Sequence, residues 1–217
     1  MSFVHLFEFL RKLQNNNNKA WMDLHRKEYY QVRDFYIEWL DTMNNKLADI
    51  DDAYFYTPGK KAINRINNNL LYHPNKPIYK DHFGAGLDQR SRQGDFYIEL
   101  GVDGSYFGGG YWHPSSKTLK SLREAIDYDG MRLLKIIQKE SFKKMFGELV
   151  ADHPLKNAPK GFSKEHKYID LLRRKSFAAS CSLSEKEIIK EGFDEKVIAI
   201  YKELLPFRRY LNNAITV

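Results

Sequence analysis

The stretch Phe96-Tyr97-Ile98-Glu99-Leu100-Gly101-Val102 constrains the folding of this chain more than any other. Successive side chains on a strand point to opposite faces. Phe96, Ile98, Leu100 and Val102 therefore share one face, and Tyr97, Glu99 and Gly101 share the other. One face is made for a core and one for polar groups. The tight-turn dipeptide Asp103-Gly104 follows directly and predicts a hairpin with Tyr106–Trp112. A connection this short requires antiparallel pairing. Residues 61–67, 81–87, 95–102 and 105–112 read as strands, and a further one is expected over 175–183.

Helical spacing flanks this sheet-rich middle. Phe3, Leu6, Phe7, Leu10 and Leu13 predict a helix over 3–13. Asn15 to Asn18 end it, and Asn18 is placed to cap the next helix. Trp21, Leu24, Val32, Phe35, Trp39, Met43 and Leu47 then mark one apolar stripe. It belongs either to two helices with a bend near residue 26 or to one long helix. After Pro114, Ser115 or Ser116 caps a helix over 117–127. Further helices are expected over 131–138, 142–146, 164–173 and 194–213, the last broken or kinked at Pro206. Ser184-Glu185-Lys186-Glu187 reads as a capping box, with Gly192 at the end of its short helix. The fold class is α+β: a central antiparallel sheet packed against N- and C-terminal helices. We read residues 1–217 as a single domain, helical over 1–56, sheet-rich over 57–114, and helical with one further strand over 115–217.

The composition supports a packed interior. The chain has 217 residues, 42% hydrophobic, with 14 Phe and 14 Tyr, too aromatic for a disordered chain. A single cysteine, Cys181, closes no disulfide within the chain, and it reads as a small buried hydrophobe. No apolar run reaches the roughly 18 residues of a membrane span. Residues 2–10 read as an amphipathic first helix rather than a secretory leader, so the expected compartment is the cytoplasm. Charge is uneven. Residues 57–175 hold 22 basic against 13 acidic residues, a net of +9, while residues 1–56 carry −2. A field of that sign favours anionic ligands or nucleic acid, although lysine-rich faces often serve solubility alone.

Standard chemical signatures are missing. No phosphate-binding loop, dinucleotide glycine fingerprint, nucleophile elbow or metalloprotease histidine pair occurs. The nearest approach to a ligand pair is His166 with Asp170, one helical turn apart. With no histidine or cysteine set at ligand spacing, neither a bound metal nor a cofactor is expected.

Two segments stand out. Arg65 to Lys80 is a strand end, an amide-rich loop and then Lys76, Tyr79 and Lys80. Tyr106-Phe107-Gly108-Gly109-Gly110-Tyr111-Trp112 places three glycines in a strand. Glycine weakens a strand, and close approach by another backbone or by a ligand is the usual reason to find it there.

The chain resembles the bacterial conserved hypothetical family known as domain of unknown function 2461. The likeness rests on Asn17-Asn18-Lys19-Ala20-Trp21 with His25, on residues 76–80, and on His82-Phe83-Gly84-Ala85. It continues through Tyr97-Ile98-Glu99, Phe107-Gly108-Gly109-Gly110 with Pro114, and Pro159-Lys160-Gly161-Phe162. His166, Asp170-Leu171-Leu172 and Lys175-Ser176-Phe177 complete it. The resemblance spans nearly the whole chain and implies no particular activity. It also shows a departure. Such proteins carry a run of the form Arg-x-x-Arg-Asp-x-Arg-Phe before the lysine and tyrosine. Here Arg65 is followed by Asn68, Asn69, Leu71 and Tyr72, so three charged groups are missing. If the run is catalytic, this member is altered. If it is structural, asparagines can substitute through hydrogen bonds.

Three functions are consistent with these residues. The first is a binding protein for a phosphate- or carboxylate-bearing ligand, using Arg65, Lys76, Tyr79, Lys80, Tyr97, Glu99, Gly108, Gly109 and Gly110. Stacking on Tyr79, Tyr97, Tyr111 and Trp112 would extend this to nucleic acid. The second is an enzyme with Glu99 as general acid or base, near Tyr97, Lys76 and His82. The third is a scaffold for a protein partner.

Overall fold

A computed structural model describes residues 1–90 and 93–215. The fold is α+β. Its strands β1 (His82–Leu87), β2 (Phe96–Gly101), β3 (Ser105–Tyr111) and β4 (Phe177–Leu183) form one antiparallel sheet in the order β1-β2-β3-β4. The hairpin between β2 and β3 turns at Asp103-Gly104 as predicted. Gly104 adopts φ +153°, and the Ser105 hydroxyl bonds to the Gly101 backbone.

The helices are α1 (Phe3–Asn15), α2 (Lys19–Leu24), α3 (Arg26–Ala48), α4 (Gly59–Ala62), α5 (Ser116–Gln138), α6 (Glu140–Phe146), α7 (Ile169–Arg173), α8 (Glu185–Ile188) and α9 (Phe193–Asn213). Their ends follow the capping chemistry. Asn18 accepts a hydrogen bond from Trp21 N–H at 2.9 Å, Ser115 accepts from Thr118 N–H, and Ser184 and Glu187 form the reciprocal box. The bend near residue 26 falls at His25, the residue between α2 and α3. The two helices expected over 117–127 and 131–138 join as α5, distorted at Asp129 (φ −138°, ψ 49°). Pro206 lies inside α9, which continues past it.

Three expectations are corrected. Residues 61–67 are not a strand. After Pro58 the amides of Lys61 and Ala62 both bond to the Pro58 carbonyl, closing the single turn of α4. The chain then pairs with residues 79–85 through isolated bridges, Ile63 with Ala85 and Asn67 with Tyr79, rather than through a continuous ladder. The apolar stripe over 21–47 loses Leu24, which is 83% exposed, because α2 ends there and its last turn leaves the axis of α3. The helix expected over 164–173 shrinks to α7, since His166 Nδ1 accepts the Tyr168 N–H in a local turn instead.

The internal contacts divide the chain into two compact units. Unit 1 comprises 1–89, 97–107 and 182–198; unit 2 comprises 90–96, 108–181 and 199–217. In unit 1, α3 packs against α1, α2 and α4. Its core is aromatic: Phe3 meets Phe35, Trp39 and Phe193 edge-on at 5.1–5.3 Å, and Trp39 stacks on Phe193. Such pairs add to the free energy of burial alone. In unit 2, α5 packs against α6 and α7, and Phe142 meets both Phe146 and Phe207.

The triple glycine belongs to the packing of unit 2. A Cβ at Gly108 would run into the Ala179 carbonyl, at Gly109 into the Asp95 carbonyl and Arg208, and at Gly110 into the Phe177 carbonyl and Phe207. Backbone approaches backbone here, one of the two reasons that glycine in a strand suggests.

Candidate functional site

The polar face of β2 supplies the site, and all its members lie in unit 1. Phe96, Ile98 and Leu100 are fully buried, while Tyr97 and Glu99 between them are only partly so. The alternation thus presents Tyr97 and Glu99 together. On β1, Gly84 is the neighbour of Tyr97: a side chain there would meet the Tyr97 hydroxyl and Asn64. The missing Cβ is what lets the tyrosine lie flat across the strand.

Glu99 is the hub. Its Oε2 accepts hydrogen bonds from the Tyr97 hydroxyl at 2.9 Å and the Tyr106 hydroxyl at 3.2 Å, and His82 Nε2 lies 3.5 Å away. The other nitrogen of His82, Nδ1, lies 3.4 Å from Asp81 Oδ1. Burial pushes the Tyr106 hydroxyl up to about 12, with the negative charge of Glu99 adding to the effect. Tyr97 is raised further for the same reasons in the same order. Both tyrosines therefore stay protonated donors. Tyr36 of α3 lies on the core side against Phe83, fully buried, and its hydroxyl has no hydrogen-bond partner among the described residues. Burial, then Tyr97 and Glu99, push it well above the ordinary range.

The cations come from the segment beside β1. Asn64 N–H bonds to the Gly84 carbonyl and Lys80 N–H to the Ile66 carbonyl, both at 2.7 Å, which lays residues 63–67 antiparallel alongside residues 79–85. The Lys80 ammonium then donates to the Arg65 carbonyl at 2.5 Å and the Asn67 carbonyl at 2.9 Å. Burial lowers its pKa, and the charges of Arg65 and Lys76 lower it further, opposed by Glu99. Arg65 and Lys76 are exposed. Among the described residues no carboxylate lies within ion-pair distance of Arg65, Lys76 or Lys80.

Of the expected site residues, Tyr97 is hydrogen-bonded to Glu99 and Lys80 to the Arg65 carbonyl, and the charges of Arg65, Lys76 and Glu99 all act on Lys80. Tyr79 does a different job: it is 5% exposed, and Asn17 brackets its backbone, accepting from its N–H at 2.9 Å and donating to its carbonyl at 2.8 Å. We expect Asn17→Ala to lower stability by about 2 kcal/mol, the effect of leaving both groups without their partner, as read by urea unfolding. Gly108, Gly109 and Gly110 serve the packing of unit 2 described above. Where the family's charged run is missing, Asn68 pins the loop: its N–H donates to the Ile78 carbonyl and its Nδ2 to the Pro77 carbonyl, each at 2.9 Å. Asparagine there makes structural hydrogen bonds. Leu71 and Tyr72 stand 84% and 73% exposed.

Reading residue patterns missed Tyr106 and Asn64. Tyr106 had a signal: it is the exposed position between buried Ser105 and Phe107 on the strand that Asp103-Gly104 folds back beside β2. Asn64 had none, because its place depends on the bridge to β1. His166 faces Asp127, 2.9 Å away, whereas Asp170 stands in solvent. Among the described residues no group of three His, Cys, Asp or Glu side chains gathers as a metal site. Nor is any described helix long and apolar enough to cross a membrane. Cys181 is half-buried rather than buried, although it shares its face of β4 with the buried Phe177, Ala179 and Leu183.

No curated protein and no solved structure matches the chain. A family model described as conserved hypothetical protein DUF2461 matches residues 5–210, nearly the whole sequence that folds into these elements. The chain belongs to that family.

Proposed function

We propose that this chain is a cytoplasmic binding protein for a small phosphate- or carboxylate-bearing anion, held by Arg65, Lys76 and Lys80 beside Glu99. One observation carries the reading. Lys80 is fixed by two backbone carbonyls rather than by a carboxylate, with Arg65 and Lys76 close enough to disfavour its charge. Grouped cations without acidic partners repel one another, and a bound anion relieves that repulsion. The lone cysteine and the absence of a spanning helix among the described residues accord with the cytoplasm.

The test is calorimetric titration with inorganic phosphate and with citrate. Binding of at least one is expected, and Arg65→Ala and Lys80→Ala should each weaken it at least about fivefold. Raising ionic strength should also weaken it, because exposed charges are screened over about 10 Å at 0.1 M salt. Failure of both anions to bind, or undiminished affinity in both variants, would overturn the reading.

A further inference from the structure

Glu99 uses its two oxygens unequally. Oε2 takes the Tyr97 hydroxyl, the Tyr106 hydroxyl and the nearby His82. Oε1 receives no hydrogen bond from the described residues, and the side chain is only 17% exposed. A carboxylate in that position gains from every donor that reaches it, water or ligand. Three groups hold it from one side, so its second oxygen is aimed rather than free to wander, the arrangement that makes an acceptor selective.

The neighbourhood limits which donor can come. Lys80 lies within electrostatic reach of Glu99 as well as of Arg65 and Lys76, so the field around the carboxylate already includes positive charge. A ligand ammonium would be repelled by that charge, whereas a neutral hydroxyl would not. Tyr97 and Tyr106 bring their hydroxyls to Oε2, with ring centroids 5.7 Å apart. Tyr106, whose hydroxyl bonds Oε2, is 37% exposed.

We infer that Glu99 Oε1 accepts a hydroxyl of the bound anion, so that the ligand class is a small polyhydroxylated phosphate or carboxylate. This rests on the anion-binding reading and adds a second recognition point to it. Glu99 then sorts hydroxylated anions from bare ones, while the cations hold both.

The experiment compares matched pairs on the purified protein by calorimetry: glycerol phosphate against n-propyl phosphate, ribose 5-phosphate against inorganic phosphate, and gluconate against hexanoate. In the unmodified protein the hydroxylated member of at least one pair should bind about tenfold tighter or more, the size of one hydrogen bond to a charged acceptor. Glu99→Gln should cut that preference to threefold or less. Inorganic phosphate should bind the variant as well as before or better, since a negative charge has gone. Tyr106→Phe, which loosens Oε2 alone, should reduce the preference by a smaller factor, and it serves if Glu99→Gln does not fold. Equal affinities within every pair, or a preference that survives both variants, overturn the inference. If the preference depends on Glu99 but Arg65→Ala leaves phosphate binding intact, the cation site is wrong and the hydroxyl site stands. If phosphate binding depends on Arg65 and no preference exists, the reverse holds.

Discussion

Gly110→Ala is expected to be the most damaging single methyl that can be added to unit 2. Two independent penalties meet there. Gly110 sits at φ +115°, a backbone region that side-chain-bearing residues rarely adopt and that costs about 1–3 kcal/mol to impose on them. The new Cβ would also run into the Phe177 carbonyl, with Ala178 Cα and a Phe207 ring carbon each only 3.1 Å away. A carbonyl held in a strand cannot swing aside as a lysine tip could, so β4 itself must shift. The combined loss is roughly 3–5 kcal/mol, a large part of a total stability of about 5–15 kcal/mol. For a chain of this size that lowers the melting temperature by about 10 °C. Gly104→Ala is the matched control. Gly104 also has positive φ, at +153°, but nothing lies within 4 Å of its added Cβ, so it should lose only about 1 kcal/mol. Equal losses in the two variants, measured by thermal and urea unfolding, would show that backbone crowding at Gly110 contributes nothing.

In unit 1 the corresponding weak point is polar. Asn44 is completely buried on α3 and makes four hydrogen bonds. Its Nδ2 donates to the Leu40 carbonyl at 3.1 Å and the Thr57 carbonyl at 2.8 Å. Its Oδ1 accepts from the Tyr54 hydroxyl at 2.6 Å and Thr57 N–H at 3.3 Å. These bonds fix the segment after α3 where it returns toward α4. Asn44→Ala strips both Thr57 backbone groups of this partner in a place water does not reach. Each such group costs about 1–3 kcal/mol, so the variant should lose roughly 3–5 kcal/mol. Asn44→Asp has nearly the same shape and should be at least as damaging at pH 7, because a carboxylate oxygen would then face two carbonyl oxygens. Burial would hold that carboxyl above its unfolded pKa, so the aspartate variant should regain stability as pH falls and the group protonates. An Asn44→Asp protein as stable as the parent at pH 7 would contradict this account.

How far the sequence revealed this structure depends on whether a feature was local. The β2–β3 hairpin was legible because alternation and Asp103-Gly104 act within ten residues. The caps at Asn18, Ser115 and Ser184 were legible for the same reason: each bonds to an amide three positions on. The supposed strand over 61–67 was misread because Pro58 starts a helical turn first, and the pairing that remains is too broken to make a strand. In the site, Glu99 and Tyr97 followed from strand parity. That Lys80 would turn its ammonium onto the carbonyls of Arg65 and Asn67 did not follow, since it depends on a loop of a dozen residues closing back on itself. Tyr79 and the glycines were conspicuous for a reason that sequence alone could not assign. Their neighbours, Asn17 and β4, lie some 60 to 70 residues away along the chain.

The alternation of β2 has an evolutionary consequence. Positions 96, 98 and 100 answer to the interior, and positions 97 and 99 stand on the partly exposed face. If that face binds the proposed anion, selection on ligand preference and selection on thermal robustness act on interleaved but separate letters of the same six-residue word. A lineage can exchange the tyrosine or the glutamate without repacking its interior, and can retune its interior without disturbing recognition. Divergence of specificity within such a lineage would register as substitutions at every second residue of this strand, against a steady background of the residues between.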